Sequence, residues 1–446
     1  MSVSNRRPKI LWVVPELLDE NGGVTESPNA LLIREATKRG AKVDVVTFAT
    51  KKSLSISPAA RADLGITNVL IFHRSRLPRT PFARMCLCLG QSLILPNMPV
   101  PYLPFYSKRI IQCFEALFDG RVRKLKELRV SGEYSEFIPD WDLVLYDGLE
   151  GSAHLFDGKR ITLPEQMPPV LYRATVVEAD RWRQRASESS GTLSANYNAT
   201  QAELIKQFEL ALMRKAAAVL SASDRAATRF REVLPRIQQH IVPTVYQFSE
   251  AVTQRSPIPG RFLCVVDFDL PGEREAVRRF LTEVWPEVVE RMPKRELILV
   301  GKGSRRGLSR FRDLAGLTMV PWEQIPSEEY LKCEALLIVG GDSPELRGEV
   351  FEAAAHQCPI ISSPEGVAAF ALKAEEHFGK VNSLIEWISR LTQEYQPKQE
   401  DCGGRLFALL AERHNPQVVA GMFLDAVHTE LDSSDEEDEP NASSAS

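Results

Sequence analysis

The feature that most constrains this chain is an alternation of short apolar runs with longer amphipathic stretches. Five such runs occupy residues 9–14, 42–48, 68–73, 142–148 and 169–175. Strands with an almost continuous apolar sequence are typically buried on both faces, as in parallel sheets. Between the first two runs, Leu31, Leu32 and Ala36 fall on one stripe of a predicted helix. A strand, a helix and a second strand in this order predict a doubly wound α/β sheet.

The same pattern starts again after Pro257. "RFLCVVDF" and "ELILVGKG" read as strands on either side of the helical pattern "EREAVRRFLTEVWPEVVERM", and "EALLIVGG" and "PIISS" follow as further strands. Prolines and small polar residues interrupt both patterns at residues 240–260. We therefore expect two Rossmann-like doubly wound domains facing a cleft, at residues 1–250 and 251–400. Residues 401–431 read as one or two terminal helices.

The charge of the chain is concentrated at its end. Six carboxylates lie between residues 432 and 439, so the segment 432–446 is predicted to be an acidic, disordered tail. The formal net charge is −4, and without these six carboxylates the remaining chain is close to neutral. No strongly basic surface is expected, which argues against a nucleic acid partner.

The cysteines and the first residues bear on the compartment and on metals. Seven cysteines are scattered without metal-ligand spacing, and no cluster of His, Asp and Glu has such spacing either. We therefore expect no metal site. The opening "MSVSNRRPKILWVV" does not have the pattern of a signal peptide, and we expect reduced thiols in a cytoplasmic protein.

Three loops follow predicted strands at the edge where such sheets bind ligands. They read "ENGGVTESP", "GKGSRRG" and "GGDSPELRGE". Backbone N–H groups of loops and helix starts converge on anions at this edge. Gly22 and Gly23 permit a close backbone approach to a ligand, or form a plain turn. Lys302, Arg305 and Arg306 are suited to a pyrophosphate, or form a solvated run of charge.

The chain resembles a known family over residues 9–427. The stretches "AVRRFLTEVWPEVVERMPKRELILVGKG", "EVFEAAAHQCPIISSPEG", "YRATVVEADRWRQRA" and "FELALMRKAAAVLSASDRAA" resemble retaining GT-B glycosyltransferases of family 4, in the branch associated with polysaccharide synthesis. The resemblance implies transfer of a hexose from a nucleotide-diphosphate sugar to a saccharide or lipid-linked acceptor. It also implies that the second domain binds the donor, that the first binds the acceptor, and that no further cofactor is needed. In such relatives the chain end crosses back, so the resemblance further implies that the terminal helices at residues 401–431 return to the first domain.

The resemblance assigns roles to individual residues. Glu352 matches the glutamate that grips the ribose hydroxyls, and Arg347 matches the basic residue of the same loop, available to the diphosphate. Gly22 and Gly23 match the glycine turn between donor and acceptor, and Lys302 and Arg305 stand near the expected phosphates. The alternative for Glu352 is a glutamate at a helix start that is favoured by the helix dipole and binds no ligand. The alternative for Arg347 is a solvated arginine that binds no ligand.

Two candidate catalytic positions depart from the family pattern. Thr175 stands where the relatives have a histidine that contacts the transferred sugar. Eight positions before Glu352, where the relatives often have a glutamate, this chain has Pro344, and Glu345 is displaced by one. Thr175 and Glu345 are therefore the candidates for contacts with the transferred sugar.

These departures leave a second hypothesis open, a catalytically silent GT-B protein that acts as a partner or scaffold. The family's glycine after the first strand of the second domain corresponds to Val266, followed by Asp267 and Asp269. Carboxylates at this place disfavour an approaching diphosphate. The acidic tail would then serve as the interaction segment. A GT-B sugar epimerase is less favoured, because its motifs are absent.

Two further features have alternative interpretations. Residues 85–107 contain no charge but contain four prolines, which excludes a transmembrane helix. They form either a buried part of the first domain or an apolar lip that touches a lipid-linked acceptor or the inner face of the membrane. His154 is either a core histidine or a cleft-facing substitute for the histidine missing at Thr175.

Overall fold

The computed structural model describes most of the chain. The described residues are 7–18, 27–51, 54–76, 97–128, 130–134, 140–157, 159–189, 191–248, 255–268, 270–302, 308–321, 328–341, 346–394 and 398–438. The chain divides into two compact units, and each contains one sheet. The first unit comprises Met1–Trp182, Thr200–Val245 and Pro416–Ser446, and the second comprises Arg183–Ala199 and Tyr246–Asn415.

Helices and strands alternate along the chain. Up to the last strand of the first sheet they are β1 (Lys9–Val14), α1 (Pro28–Lys38), β2 (Lys42–Ala49), α2 (Pro58–Leu64), β3 (Val69–His73), α3 (Lys108–Phe118), α4 (Val122–Glu127), β4 (Ser131–Glu133), β5 (Leu143–Asp147), β6 (Val170–Ala174), α5 (Glu178–Ser187), α6 (Thr192–Met213), β7 (Ala218–Ser221), α7 (Asp224–Val233) and β8 (Gln238–Ile241). Two 3₁₀ helices occupy Val100–Phe105 and Glu150–Leu155.

The remaining elements belong mainly to the second unit. They are β9 (Arg261–Asp267), α8 (Pro271–Glu283), α9 (Trp285–Arg291), β10 (Glu296–Lys302), β11 (Leu317–Pro321), α10 (Glu328–Lys332), β12 (Ala335–Ile338), α11 (Gly348–Ala355), β13 (Ile360–Ser362), β14 (Gly379–Lys380), α12 (Leu384–Thr392), α13 (Lys398–His414) and α14 (Pro416–Asp438). The last of these, α14, lies in the first unit.

The first sheet has the doubly wound order β4-β3-β2-β1-β5-β6-β7-β8. All its pairings are parallel except that of β3 with β4. The strand order reverses direction at β1, because β2 lies on one side of it and β5 on the other. One face of the sheet is covered by α1 and α14 and the other by α3, α6 and the 3₁₀ helix Val100–Phe105. This explains why the predicted strands are apolar throughout.

The second sheet is parallel, in the order β11-β10-β9-β12-β13-β14. Its faces are covered by α8, α9 and α12 on one side and by α11 and α13 on the other. The strand order reverses direction at β9, which lies between β10 and β12. Two Rossmann-like α/β domains, predicted from the alternation of apolar runs, are therefore confirmed.

The end of the chain differs from the sequence-based expectation. We expected residues 401–431 to return together to the first domain, but α13 belongs to the second unit and α14 to the first. Phe423 of α14 packs on Trp12 of β1 with ring centroids 5.0 Å apart. Because α14 is anchored in this way it continues to Asp438, so the predicted disorder does not begin at Asp432. The Ser433 hydroxyl supports this part of the helix by donating to the Thr429 carbonyl at 2.7 Å.

The uncharged stretch 85–107 is described from residue 97 onward. Tyr102, Leu103 and Phe105 are buried, and the Phe105 ring packs edge-on against Phe48 with centroids 5.1 Å apart. The described half of this stretch is therefore part of the core of the first unit, and residues 85–96 lie outside the described part of the chain. None of the helices described is long and apolar enough to cross a membrane.

Candidate functional site

Helix α11 begins just beyond the carboxyl end of β12. Arg347 is its N-cap, with extended backbone angles and no side-chain cap bond, and the helix begins at Gly348. Val350, Phe351, Ala353 and others bury the inner face of α11 against the second sheet. Glu352 lies one position beyond Phe351 and is only partly buried. The amphipathic pattern of α11 therefore keeps this carboxylate off the buried face, in the second turn of a helix that follows β12.

One oxygen of Glu352 is held by a tyrosine. The Tyr246 hydroxyl donates to Glu352 Oε1 at 2.6 Å, and its ring stacks on Phe351 with centroids 4.8 Å apart. Burial raises the pKa of Tyr246, and the charge of Glu352 raises it further, so the hydroxyl remains a donor at neutral pH. Among the described residues no hydrogen bond to Glu352 Oε2 is seen. This oxygen is therefore oriented and able to accept from a hydroxyl group.

Arg347 lies between two carboxylates. Its Nη1 donates to Glu273 Oε1 at 2.7 Å and to Glu349 Oε1 at 3.2 Å. The residue is only 8% exposed. Burial lowers the pKa of Arg347, but the charges of Glu349 and Glu273 outweigh this effect and raise it above the usual value. The guanidinium is thus permanently charged and already compensated, while its buried Nε has no hydrogen-bond partner.

Glu273 connects this arginine with the first strand of the unit. It lies in the first turn of α8, and its Oε2 accepts from the backbone N–H of Asp267 at 2.9 Å. Burial raises the pKa of Glu273, and the neighbouring Arg347 partly offsets this shift. A single carboxyl group therefore fixes the end of β9 relative to the start of α11.

A phenylalanine fills the space between the ends of β9 and β10. Phe268 is fully buried, and a side-chain carbon at Gly301 would lie only 1.6 Å from its ring. Gly301 lies near the end of β10, next to Val266 of β9 in the ladder. Glycine is required here because the ring lies directly on the strand. The glycine in "ELILVGKG" was the available sequence signal for such a close approach, but Phe268 itself was not predicted.

The predicted site residues are distributed over both units. Glu352 and Arg347 lie together at α11, whereas Thr175 is exposed just after β6 in the first unit. Lys302 is the last residue of β10. Gly22, Gly23, Arg305 and Glu345 lie outside the described residues, as do Arg306, Pro344 and Asp269.

His154 is a core residue. Its Nδ1 bonds to the Gly151 carbonyl at 3.0 Å and its Nε2 to the Tyr146 hydroxyl at 3.2 Å, and its ring stacks on Phe114. Burial lowers the pKa of His154 to about 3, so the imidazole is neutral. The core interpretation of this histidine is therefore the one that the structure supports.

A cluster that the sequence did not reveal lies at the carboxyl edge of the first sheet. Glu209 of α6 is 3% exposed, and its Oε1 accepts from the Tyr172 hydroxyl at 3.0 Å and from the Glu178 backbone N–H at 3.3 Å. Burial, followed by the charge of Glu178, raises the pKa of Glu209 to about 8. Glu209 is therefore largely protonated at neutral pH. The sequence signal available for this residue was a glutamate on the mainly apolar buried stripe of α6, which also contains Gln201.

Within the part of the chain that is described, no group of three or more His, Cys, Asp or Glu side chains could hold a metal ion.

Two doubly wound units of this kind define the GT-B class of fold. No protein-family model matches the sequence, and no curated protein matches it. Among solved structures, HepE of Anabaena in complex with UDP-glucose is similar at a TM-score of 0.54 and 11% identity, over 95% of this chain and 100% of that one. TarM, known from S. aureus, reaches 0.59 at 10% identity over 94% and 99%. The lipopolysaccharide outer core galactosyltransferase WaaB reaches 0.51 at 12% identity over 95% and 99%. These likenesses show the fold.

Proposed function

We propose that this protein is a glycosyltransferase that moves a hexose from a nucleotide-diphosphate sugar to a saccharide or lipid-linked acceptor. The GT-B fold, and its likeness to HepE bound to UDP-glucose and to a galactosyltransferase, support this proposal. The observation that carries it is the geometry of Glu352. One of its oxygens is held by Tyr246, and the other is oriented but accepts no hydrogen bond among the described residues, in the second turn of α11.

The role proposed for Glu352 is to bind the ribose of the donor. A carboxylate accepts hydrogen bonds from two vicinal hydroxyls, and Tyr246 fixes the plane of the carboxylate before the nucleotide arrives. The other assignments are proposals of the same kind. The candidate diphosphate contacts are Arg347, Lys302, Arg305, Gly22 and Gly23, and the candidate contacts with the transferred sugar are Thr175 and Glu345.

The proposed chemistry makes modest demands on the protein. The departing diphosphate has to be stabilised by cations and backbone N–H groups, and an acceptor hydroxyl has to be held beside the anomeric carbon. We propose that the transfer retains the configuration of the sugar, as in family 4, without a metal ion. A role in polysaccharide synthesis, a cytoplasmic location and a peripheral contact with the inner membrane face remain predictions.

Nucleotide binding and donor turnover test the function. A panel of UDP- and GDP-hexoses is incubated with the full chain and candidate saccharide acceptors, and released UDP or GDP is measured. Calorimetry gives the dissociation constant of each nucleotide. Glu352→Ala should weaken nucleotide binding about 10- to 150-fold, because hydrogen bonds to a charged group contribute about 1.5–3 kcal/mol. Glu290→Ala, on the exposed face of α9, is the matched control and should bind as the wild type does.

Unchanged nucleotide binding by Glu352→Ala would remove the ribose assignment. If the wild type binds no nucleotide diphosphate and turns over no donor, the function itself is refuted.

A catalytically silent GT-B protein is the second candidate function. The observation that favours it is the compensation of Arg347 by Glu273 and Glu349, which leaves no net positive charge for a diphosphate among these three residues. Under this alternative the chain binds no nucleotide diphosphate and instead captures a protein partner through the segment from residue 432 onward. Loss of that capture on deleting the segment, together with absent nucleotide binding, would favour it.

A further inference from the structure

Three glutamates meet where β5 and β6 end in the first unit. Glu150 begins the 3₁₀ helix Glu150–Leu155 that follows β5, and Glu178 begins α5 after β6. Glu209 reaches the same place from α6 and accepts from the backbone N–H of Glu178. Burial and the charge of Glu178 raise the pKa of Glu150, so the carboxyl groups interact electrostatically. The packing of three separate elements therefore assembles this cluster, which is not a local run of acidic residues.

A buried hydroxyl without a partner lies in the same cluster. Tyr102 of the 3₁₀ helix Val100–Phe105 is 2% exposed, and its hydroxyl has no hydrogen-bond partner. The Tyr102 ring lies 5.6 Å from the ring of Phe208, the residue before Glu209, and burial together with the nearby charges of Glu178 and Glu150 raises the pKa of Tyr102. An unpaired buried hydroxyl costs free energy, and a hydroxyl group of a ligand or a water molecule would satisfy it.

The cluster is open toward the carboxyl edge of the sheet. Glu150 is partly exposed, and its Oε2 lies over Gly148, where a side-chain carbon would come within 2.8 Å of it. The Glu178 side chain is 11% exposed. Thr175 is also exposed, and it lies two residues beyond Arg173, the last residue of β6 that pairs with β5. Polar groups at this edge of a doubly wound sheet are placed where ligands bind.

The charge of the cluster selects the kind of ligand. Arg181 Nη1 lies 3.3 Å from Glu178 Oε1 and supplies one positive charge beside three carboxyl groups. Because Glu209 is mostly protonated, it can donate as well as accept a hydrogen bond. These four residues together present both donors and acceptors, and their summed charge is neutral to negative. Such a surface suits the hydroxyl groups of an uncharged sugar and repels a phosphate or a uronic acid.

We propose that Glu150 and Glu178 bind hydroxyl groups of an uncharged sugar, which is the acceptor of the transfer proposed above. Only the statement that this sugar is the acceptor rests on the proposed function. The binding of the sugar itself can be measured without a donor. In this arrangement Glu150 and Glu178 accept hydrogen bonds from the sugar, and Tyr102 supplies a hydroxyl beneath them.

Saturation-transfer difference NMR on the full chain tests the proposal. The probes are the methyl glycosides of glucose, galactose and mannose, with methyl glucuronide as the charged counterpart of the glucoside. The wild type should bind at least one uncharged glycoside and should bind it about tenfold more tightly than methyl glucuronide. Glu150→Gln and Glu178→Gln should each reduce this preference several-fold, because the repelling charge is removed while the shape is kept.

The preference ratio distinguishes binding from a structural role. A variant that only loosened the fold would weaken both sugars equally and leave the ratio unchanged. Glu203→Gln, at an exposed position of α6, is the control and should keep the wild-type ratio. Should Glu178→Gln melt at a lower temperature, Glu150→Gln decides the test, because its side chain is less enclosed.

The proposal is overturned if the wild type binds none of the uncharged glycosides, or if both glutamine variants keep the wild-type ratio. Neither outcome depends on a nucleotide. A failure of donor turnover with intact sugar binding would refute the proposed transferase and leave the sugar site in place.

Discussion

Replacing Glu209 with glutamine should stabilise the protein at neutral pH. The carboxyl group lies on α6 with 3% exposure, accepts from Tyr172 and from the Glu178 backbone, and is close to the charge of Glu178. Glutamine has the shape of the protonated acid and keeps an acceptor oxygen for both bonds. Its amide N–H groups face the negative Glu178. The variant therefore retains the contacts and removes the need to bind a proton.

The magnitude follows from the two pKa values. Burial raises the pKa of Glu209 from 4.5 to about 8, so between these values the folded state holds a proton that the unfolded state has lost. Stability contributed by this group is therefore lost as pH rises, at about 1.4 kcal/mol per pH unit above 4.5. At pH 7 the loss amounts to about 3 kcal/mol. The free energy of unfolding of Glu209→Gln should exceed that of the wild type by about 2–3 kcal/mol at pH 7.

Urea unfolding at pH 5, 6, 7 and 8 measures this difference. Circular dichroism follows the transition, and hydrogen exchange of peptides from α6 identifies the transition that involves the first unit. Titrating groups outside this cluster affect both proteins alike, so the difference between variant and wild type reports Glu209 and the groups that interact with it. Glu203→Gln on the exposed face of the same helix should show no pH-dependent difference.

The expected signature is a difference that is small at pH 5 and grows toward pH 8. A difference of equal size at all four pH values would show that Glu209 does not take up a proton on folding. A variant that is less stable than the wild type at pH 8 would show that the carboxylate form is the one that the fold requires. Either result would refute the reasoning.

Three other predictions concern the second unit. Tyr246→Phe keeps the stacked ring but removes the hydrogen bond to Glu352, and calorimetry should show nucleotide binding weakened about 5-fold, for a bond worth about 1 kcal/mol. Gly301→Ala should destabilise the unit by about 3 kcal/mol or more in thermal melts, and adding Phe268→Ala should restore part of that loss, since the clash involves its ring. Burial raises the pKa of Glu273, so Glu273→Gln mimics the form favoured at lower pH; nucleotide binding should tighten in this variant, and a weakened affinity would contradict the prediction.

The sheets could be predicted from the sequence because their determinants are local. In a run such as "KILWVV" every residue after Lys9 is apolar because both faces of β1 are covered, and no distant information is needed to recognise it. The same holds for α11, whose small and apolar residues and partly exposed Glu352 are visible in the sequence. The role of Glu352 itself remains a prediction, because the pattern shows where a carboxylate lies and not what it binds.

The pairing of Arg347 with Glu273 could not be predicted, because the two residues are 74 positions apart and are joined only by the folding of β9 beside β12. Phe268 was missed for a similar reason. Its ring occupies a space created by Gly301 of a neighbouring strand, and a local pattern contains no measure of that space. Residues 432–438, at the beginning of the predicted acidic tail, are helical. This was missed because composition alone does not show that α14 is anchored by Phe423.

Near the carboxyl edges of both sheets, carboxyl groups outnumber the arginine that lies beside them. The consequence for ligand binding differs between the two units. In the second unit Glu273 and Glu349 surround Arg347, and in the first unit three glutamates accompany Arg181. An anionic donor can bind beside such a set only if a proton or a further cation comes with it, because carboxylates repel a diphosphate. An uncharged sugar needs neither. On the proposals made above, the first unit binds its ligand without a change of charge, whereas in the second unit Arg347 is paired with Glu273 and Glu349, and burial raises the pKa of Glu273.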